Sequence, residues 1–128
     1  MIYRKVVLIL ALGLACSPVS AAWTKVTANV EATTYAEVST INKVGDIAKM
    51  SDLVDIKVPR AGVKYSSIKS LHEYDCKLNK SRVVTYSMYS GSMAGGKIVD
   101  SSSRIHDWLP AKFGGATAEL WKIACGKH

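Results

Sequence analysis

Residues Ile68 to Leu78 read IKSLHEYDCKL, and their alternation decides the fold class. Ile68, Ser70, His72, Tyr74, Cys76 and Leu78 share one parity, while Lys69, Glu73, Asp75 and Lys77 take the other. That period of two belongs to a β-strand with one face toward a core and one toward water. The C-terminal stretch Thr117 to Cys125, TAELWKIAC, has a different period. Leu120, Trp121, Ala124 and Cys125 fall on one helical face with Ile123 at its border, and Glu119 and Lys122 lie outside it. Thr117 is placed to cap the start of this helix and Gly126 to close its end. Cys76 therefore stands on the apolar face of a strand and Cys125 on the buried face of a helix, so a bond between them would clamp the helix onto a sheet.

Outward from these two segments the chain is mostly strand. Trp23 to Val30 places Val26, Ala28 and Val30 on one face, and Thr33 to Val38 is β-branched and aromatic. Ser39 to Gly45 is polar and ends in Gly, which predicts a turn or short helix. Ile47 to Val58 alternates with Ala48, Met50, Val54, Ile56 and Val58 together; Asp52 is a lapse on that parity and Leu53 an apolar exception on the other. Pro59 to Gly62 breaks the run, Asn79 to Ser81 is a short turn, and Arg82 to Ser90 alternates again. A Gly-rich loop, Gly91 to Gly96, precedes a further strand that begins at Lys97. The expected fold is α+β: a single antiparallel sheet of about six strands with a C-terminal helix packed on it.

A chain of 128 residues, 48% apolar and 21% charged, holds one globular domain and excludes a disordered or multi-domain protein. Its first 22 residues are expected to be a secretory signal peptide: Arg4 and Lys5, then the uncharged run Val6 to Ala15, then the small-residue exit Ser17 to Ala22. The apolar run is too short for a transmembrane anchor, which needs ~20 residues. Cys16 could accept a lipid, but Gly13 stands where such a signal wants a branched apolar residue, so the favoured reading discards Cys16 with the leader. The mature domain is then residues 23–128, with 15 basic and 10 acidic residues. It holds two cysteines, Cys76 and Cys125, and in an oxidising compartment an even pair reads as one disulfide closing a loop of 50 residues. A zinc pair and a catalytic thiol are the competing readings; zinc wants further Cys or His close by, and neither cysteine has them.

Catalytic groups are sparse. His72 lies on the apolar parity, where a neutral imidazole with one hydrogen-bond partner is the usual outcome. His106 and Asp107 are adjacent and face opposite ways on an extended chain, and His128 is terminal. No serine sits in a nucleophile elbow, and Gly91 to Gly96 lacks the Lys-Ser or Lys-Thr of a phosphate loop, so it reads as a tight connection needing positive φ. No catalytic residue, metal site or cofactor is predicted. The candidate binding residues are Lys49, Lys57, Lys69, Lys77 and Arg82, basic side chains on strands that would form a positive face if neighbouring; an ordinary solvated face is the alternative. Nucleic acid is excluded as a partner for an exported chain.

Trp23, Tyr35, Ser67-x-Lys69, Glu73-Tyr74-Asp75-Cys76, Tyr89-Ser90-Gly91-x-Met93-x-Gly95-Gly96, Trp108 and the closing Leu120-Trp121-Lys122-Ile123-Ala124-Cys125 together resemble the surface-adhesin protein E family of Gram-negative bacteria. The likeness spans nearly all of the mature chain. One departure is Glu37, two residues after Tyr35, where the family usually has Asp. The resemblance implies an antiparallel sheet with a C-terminal helix and a non-enzymatic exported protein that binds host matrix or plasma proteins. The alternative is a periplasmic small-ligand binder, inhibitor or housekeeping protein of the cell envelope, which an apolar pocket of ~300 Å³ or more lined by Tyr and Trp would favour. A small hydrolase would require His72 or His106 to lie exposed in a cleft beside a carboxylate.

Overall fold

The computed structural model describes residues 22–111 and 114–127. Cys16, His128 and all of the expected leader except Ala22 lie outside the described residues. Seven strands form one antiparallel sheet: β1 (Thr24–Ala28), β2 (Ala32–Val44), β3 (Ile47–Ile56), β4 (Ser67–Asp75), β5 (Lys80–Tyr89), β6 (Ile98–Ser102) and β7 (Leu109–Pro110). The first six lie in chain order, each paired with the next, and β7 pairs with Lys80 and Ser81 at the start of β5. Helix α1 (Ala116–Cys125) follows.

The alternation read in the sequence is the face pattern of the sheet. Ala48 is opposite Tyr74 and Met50 opposite His72, so the apolar parity of β3 and of β4 looks the same way. Onto that face α1 lays Leu120, Ala124 and Cys125, which pack with Ala36, Ala48, Met50, Tyr74 and Cys76 into the core. Cys76 and Cys125 are bonded, with Cα atoms 5.6 Å apart. Trp121 adds a second tie, its Nε1 donating to the carbonyl of Asp75 at 2.9 Å. The helix closes as expected on Gly126, in the left-handed region at φ 67°.

Three local expectations are corrected. Ser39 to Gly45 is neither turn nor helix: β2 runs on to Val44, and the turn is Gly45-Asp46. The pairing with β3 shifts between Glu37 and Asn42, and this irregularity hides the alternation. Thr40 spans it, its hydroxyl donating to the carbonyl of Glu37 at 2.6 Å and accepting from the amide of Ser51 at 2.9 Å. Thr117 does not cap α1; the helix starts at Ala116 after Gly115, with no side-chain cap. The fourth strand ends at Asp75, because Asp75 Oδ1 accepts the amides of Lys77 and Leu78 and turns the chain.

Candidate functional site

The face turned away from α1 carries the opposite parity of β3 and β4; along β5 the parity changes where its pairing with β4 shifts between Leu71 and His72. Lys49, Glu73 and Arg82 lie in one cross-strand row, and Leu53, Lys69 and Ser87 in another. The structure thus brings Lys49, Lys69 and Arg82 onto one face. Lys57 follows the end of β3, its Nζ 3.1 Å from the carbonyl of Asn29, and Lys77 is exposed in the turn after β4. The cations are not equivalent. Arg82 donates to Glu73 Oε1 from Nη2 at 2.9 Å and from Nε at 3.0 Å, and its guanidinium stacks 4.3 Å from the Trp108 ring centre. The Lys69 ammonium lies 5.7 Å from the centre of Trp23. Lys49 and Lys77 have no acidic partner among the described residues. Leu53, the apolar exception, is fully buried on this face.

The Gly-rich loop folds back toward this face at its far end. Asp55 accepts from the Ser92 hydroxyl at 2.9 Å and from the Met93 amide at 2.8 Å. The fully buried Ser67 donates to the carbonyl of Gly91 at 2.6 Å and accepts from the amide of Ala94 at 2.9 Å. Positive φ is used at Met93, Ala94 and Gly96. Gly91 and Gly95 are extended instead, and a Cβ on Gly91 would come within 2.9 Å of the Gly95 backbone. Those two glycines serve close approach rather than the positive φ that the sequence suggested.

On the helix-side face the lapse at Asp52 finds its reason. Asp52, 2% exposed, makes a short contact through its carboxylate with Nδ1 of His72, which has the single polar partner expected of it. Beside them Tyr74 is wholly buried, and its hydroxyl has no hydrogen-bond partner among the described residues. Burial first, and the Asp52 charge second, push the Tyr74 phenol well above the usual tyrosine range. His106 donates its amide to the carbonyl of Val83 at 2.9 Å, and its ring sits 6.2 Å from that of Tyr86. A cleft of about 550 Å³ opens between the head of β5, β7 and the start of α1, with His72 and His106 at its wall. A second cavity, of about 520 Å³, lies at the other end of the sheet among Val30, Val54, Ile56, Val58, Val63 and Tyr65. Its wall is mostly apolar but includes the Arg60–Glu31 ion pair, 3.3 Å apart, and has one Tyr and no Trp among the described residues. Among the described residues no group of three or more His, Cys, Asp and Glu could hold a metal ion, and no helix is long and apolar enough to cross a membrane.

Residues 23–126 match the family model of surface-adhesin protein E. The chain belongs to the surface-adhesin protein E family. Membership accounts for the motif residues as framework. Ser67 and the Gly91–Gly96 loop hold each other, Cys76 and Cys125 are bonded, and Trp121 caps the turn after β4. Glu37, the departure from the family pattern, has its Oε2 buried with no partner among the described residues. A crystal structure of Haemophilus influenzae protein E superposes with a TM-score of 0.63 at 14% identity, covering 84% of this chain and 90% of that one. At that identity the likeness speaks for the fold. No curated protein matches the sequence. By family the chain is an adhesin-like, exported-type surface protein.

The sequence reading missed the stacking of Trp23 and Trp108 on cations, the docking of the Gly-rich loop on Asp55 and the Asp52–His72 pair. For the last a signal existed: two polar residues, each on the apolar parity of its strand.

Proposed function

We propose that this is a non-enzymatic exported protein that binds host extracellular-matrix or plasma proteins, without a cofactor, through the sheet face turned away from α1 and the loops at its rim. The observation that carries this reading is the family match over residues 23–126. The physical support is the arrangement of that face: Lys49, Lys57 and Lys77 are exposed, and Lys69 and Arg82 lie beside Trp23 and Trp108, a mix of charge and aromatic surface that suits an acidic protein partner. Residues 1–22 act as the export leader and Cys16 leaves with it; the intact mass of the mature protein checks both. Solid-phase binding of mature protein to immobilised vitronectin and laminin, with a salt titration, tests adhesion. Saturable binding that weakens with salt supports it, and no binding to either at low salt overturns it.

A second reading, a periplasmic binder of small ligands, has the volume it needs in the two cavities of about 520 and 550 Å³, but not the Tyr and Trp lining that would favour it: Tyr65 is the one such residue among the described residues of both walls. Protease treatment of intact cells separates the locations: cleavage only after permeabilisation favours the periplasm.

A further inference from the structure

We propose that the loop end of the sheet, opposite the end clamped by the disulfide, docks on an anionic phospholipid bilayer. Three connections meet there: the turn between β1 and β2, the loop 57–66 between β3 and β4, and the Gly-rich loop between β5 and β6. They are tied together by Lys57 N–H on the Glu31 carbonyl and Ser66 N–H on the Tyr89 carbonyl, both at 2.8 Å, and by the Met93 amide on Asp55. Their tips are apolar. Val30 is 84% exposed, Val58 54% and Val63 38%, and Met93 and Ile98 are exposed as well. The three valines border one cavity with Tyr65, so they form a patch rather than scattered single residues. The turn from Arg60 to Val63, closed by Val63 N–H on the Arg60 carbonyl at 3.1 Å with Gly62 at φ 81°, gives the tip a fixed shape.

Charge selects the partner. Lys57, Arg60 and Lys64 alternate with the valines of the loop, Lys97 precedes Ile98, and all four are exposed. Of the carboxylates here, Glu31 pairs with Arg60 at 3.3 Å, and Asp55 is taken up by the Ser92 hydroxyl and the Met93 amide; Asp100 lies further along β6, opposite Met88. The excess at this end is positive. Exposed apolar tips with cations beside them suit a bilayer interface, where the valines enter the boundary between headgroups and acyl chains and the cations face lipid phosphates. A protein partner is usually held by aromatic anchors in fitted pockets, and the patch holds Tyr65 alone, half-buried.

Vesicle co-sedimentation of the mature protein tests this apart from adhesion to host proteins, on which it does not rest. The probes are vesicles of phosphatidylcholine alone and of phosphatidylcholine with about a third phosphatidylglycerol, at about 50 mM and about 500 mM salt. Binding to the mixed vesicles and not to phosphatidylcholine alone, lost at the higher salt, is expected. Val30→Ser with Val58→Ser should weaken it about tenfold, and Val58→Ser alone, at about threefold, decides the matter should the pair misfold. Lys64→Gln should weaken it about fivefold, whereas Lys49→Gln on the sheet face and Leu78→Ser at the opposite end should each change it by less than about twofold. No binding to the mixed vesicles at low salt, equal binding to phosphatidylcholine alone, or losses as large from Lys49→Gln or Leu78→Ser overturn the proposal. A loss with Lys64→Gln but none with the valine variants also overturns it, because any acidic surface, a protein included, would respond in that way.

Discussion

Replacing His72 by Leu would leave the Asp52 carboxylate in the core with nothing to face. The Asp52 side chain is 3% exposed and that of His72 20%, so the two ends of this pair do not have equal routes to water. Stranding a buried charge costs about 3–5 kcal/mol. Removing the charge from the other end should cost less: Asp52→Asn keeps a hydrogen-bond acceptor in place, and the partly exposed imidazole can hydrate, so about 1 kcal/mol is expected. With a urea m-value of about 2 kcal/mol/M, the midpoint should fall by about 1.5–2.5 M for His72→Leu and about 0.5 M for Asp52→Asn. The double variant carries no buried charge and should be more stable than His72→Leu alone, by about 2 kcal/mol. Equilibrium urea unfolding of all four proteins gives the cycle. Equal losses from the two single changes, or a double variant less stable than His72→Leu, would refute the claim that Asp52 is a buried charge held by His72.

Other consequences follow from the same core and loop. The unfolded Tyr74 phenol ionises near pH ~10 while the buried one holds its proton, so stability should fall as pH rises above that value, by about 1.4 kcal/mol per pH unit; Tyr74→Phe should remove that part of the slope in melts between pH 9 and 11. Because the hydroxyl has no partner among the described residues, the same variant should be neutral or up to about 1 kcal/mol more stable at pH 7. Ser67→Ala strips the carbonyl of Gly91 and the amide of Ala94 of their partner and should cost about 1–3 kcal/mol, with faster amide exchange confined to residues 91–96. Gly96→Ala meets both a positive φ of 73° and the Gly91 amide at 3.0 Å, and should cost at least about 1 kcal/mol in thermal melts.

Much of the fold was legible because its strands and its helix obey their periods. Ile68 to Leu78 and Ile47 to Val58 alternate along most of their length, and TAELWKIAC keeps its apolar residues on one stripe. What escaped is non-local. The irregularity after Glu37 is held by Thr40 reaching to Ser51, and β7 is two residues long, too short to carry a period. Leu53 broke the pattern because the sheet buries residues on both faces. Asp52 broke it because its partner is on the next strand, and a lone Asp in a strand does not announce the histidine it will meet. The basic face was legible only as a set of lysines and an arginine. Which of them are engaged depends on Trp23, Trp108 and Glu73, brought close by strand order.

The clasp between strand and helix is the claim on which the architecture turns, and reduction tests it most directly. Cys76 and Cys125 are 49 residues apart in sequence, and closing such a loop limits the unfolded chain by about 4 kcal/mol. Urea unfolding of the natively purified protein with and without reductant should show the midpoint falling by about 2 M on reduction, with no thiol alkylated in denaturant beforehand. Two alkylated cysteines before reduction, or the same midpoint with and without reductant, would contradict it.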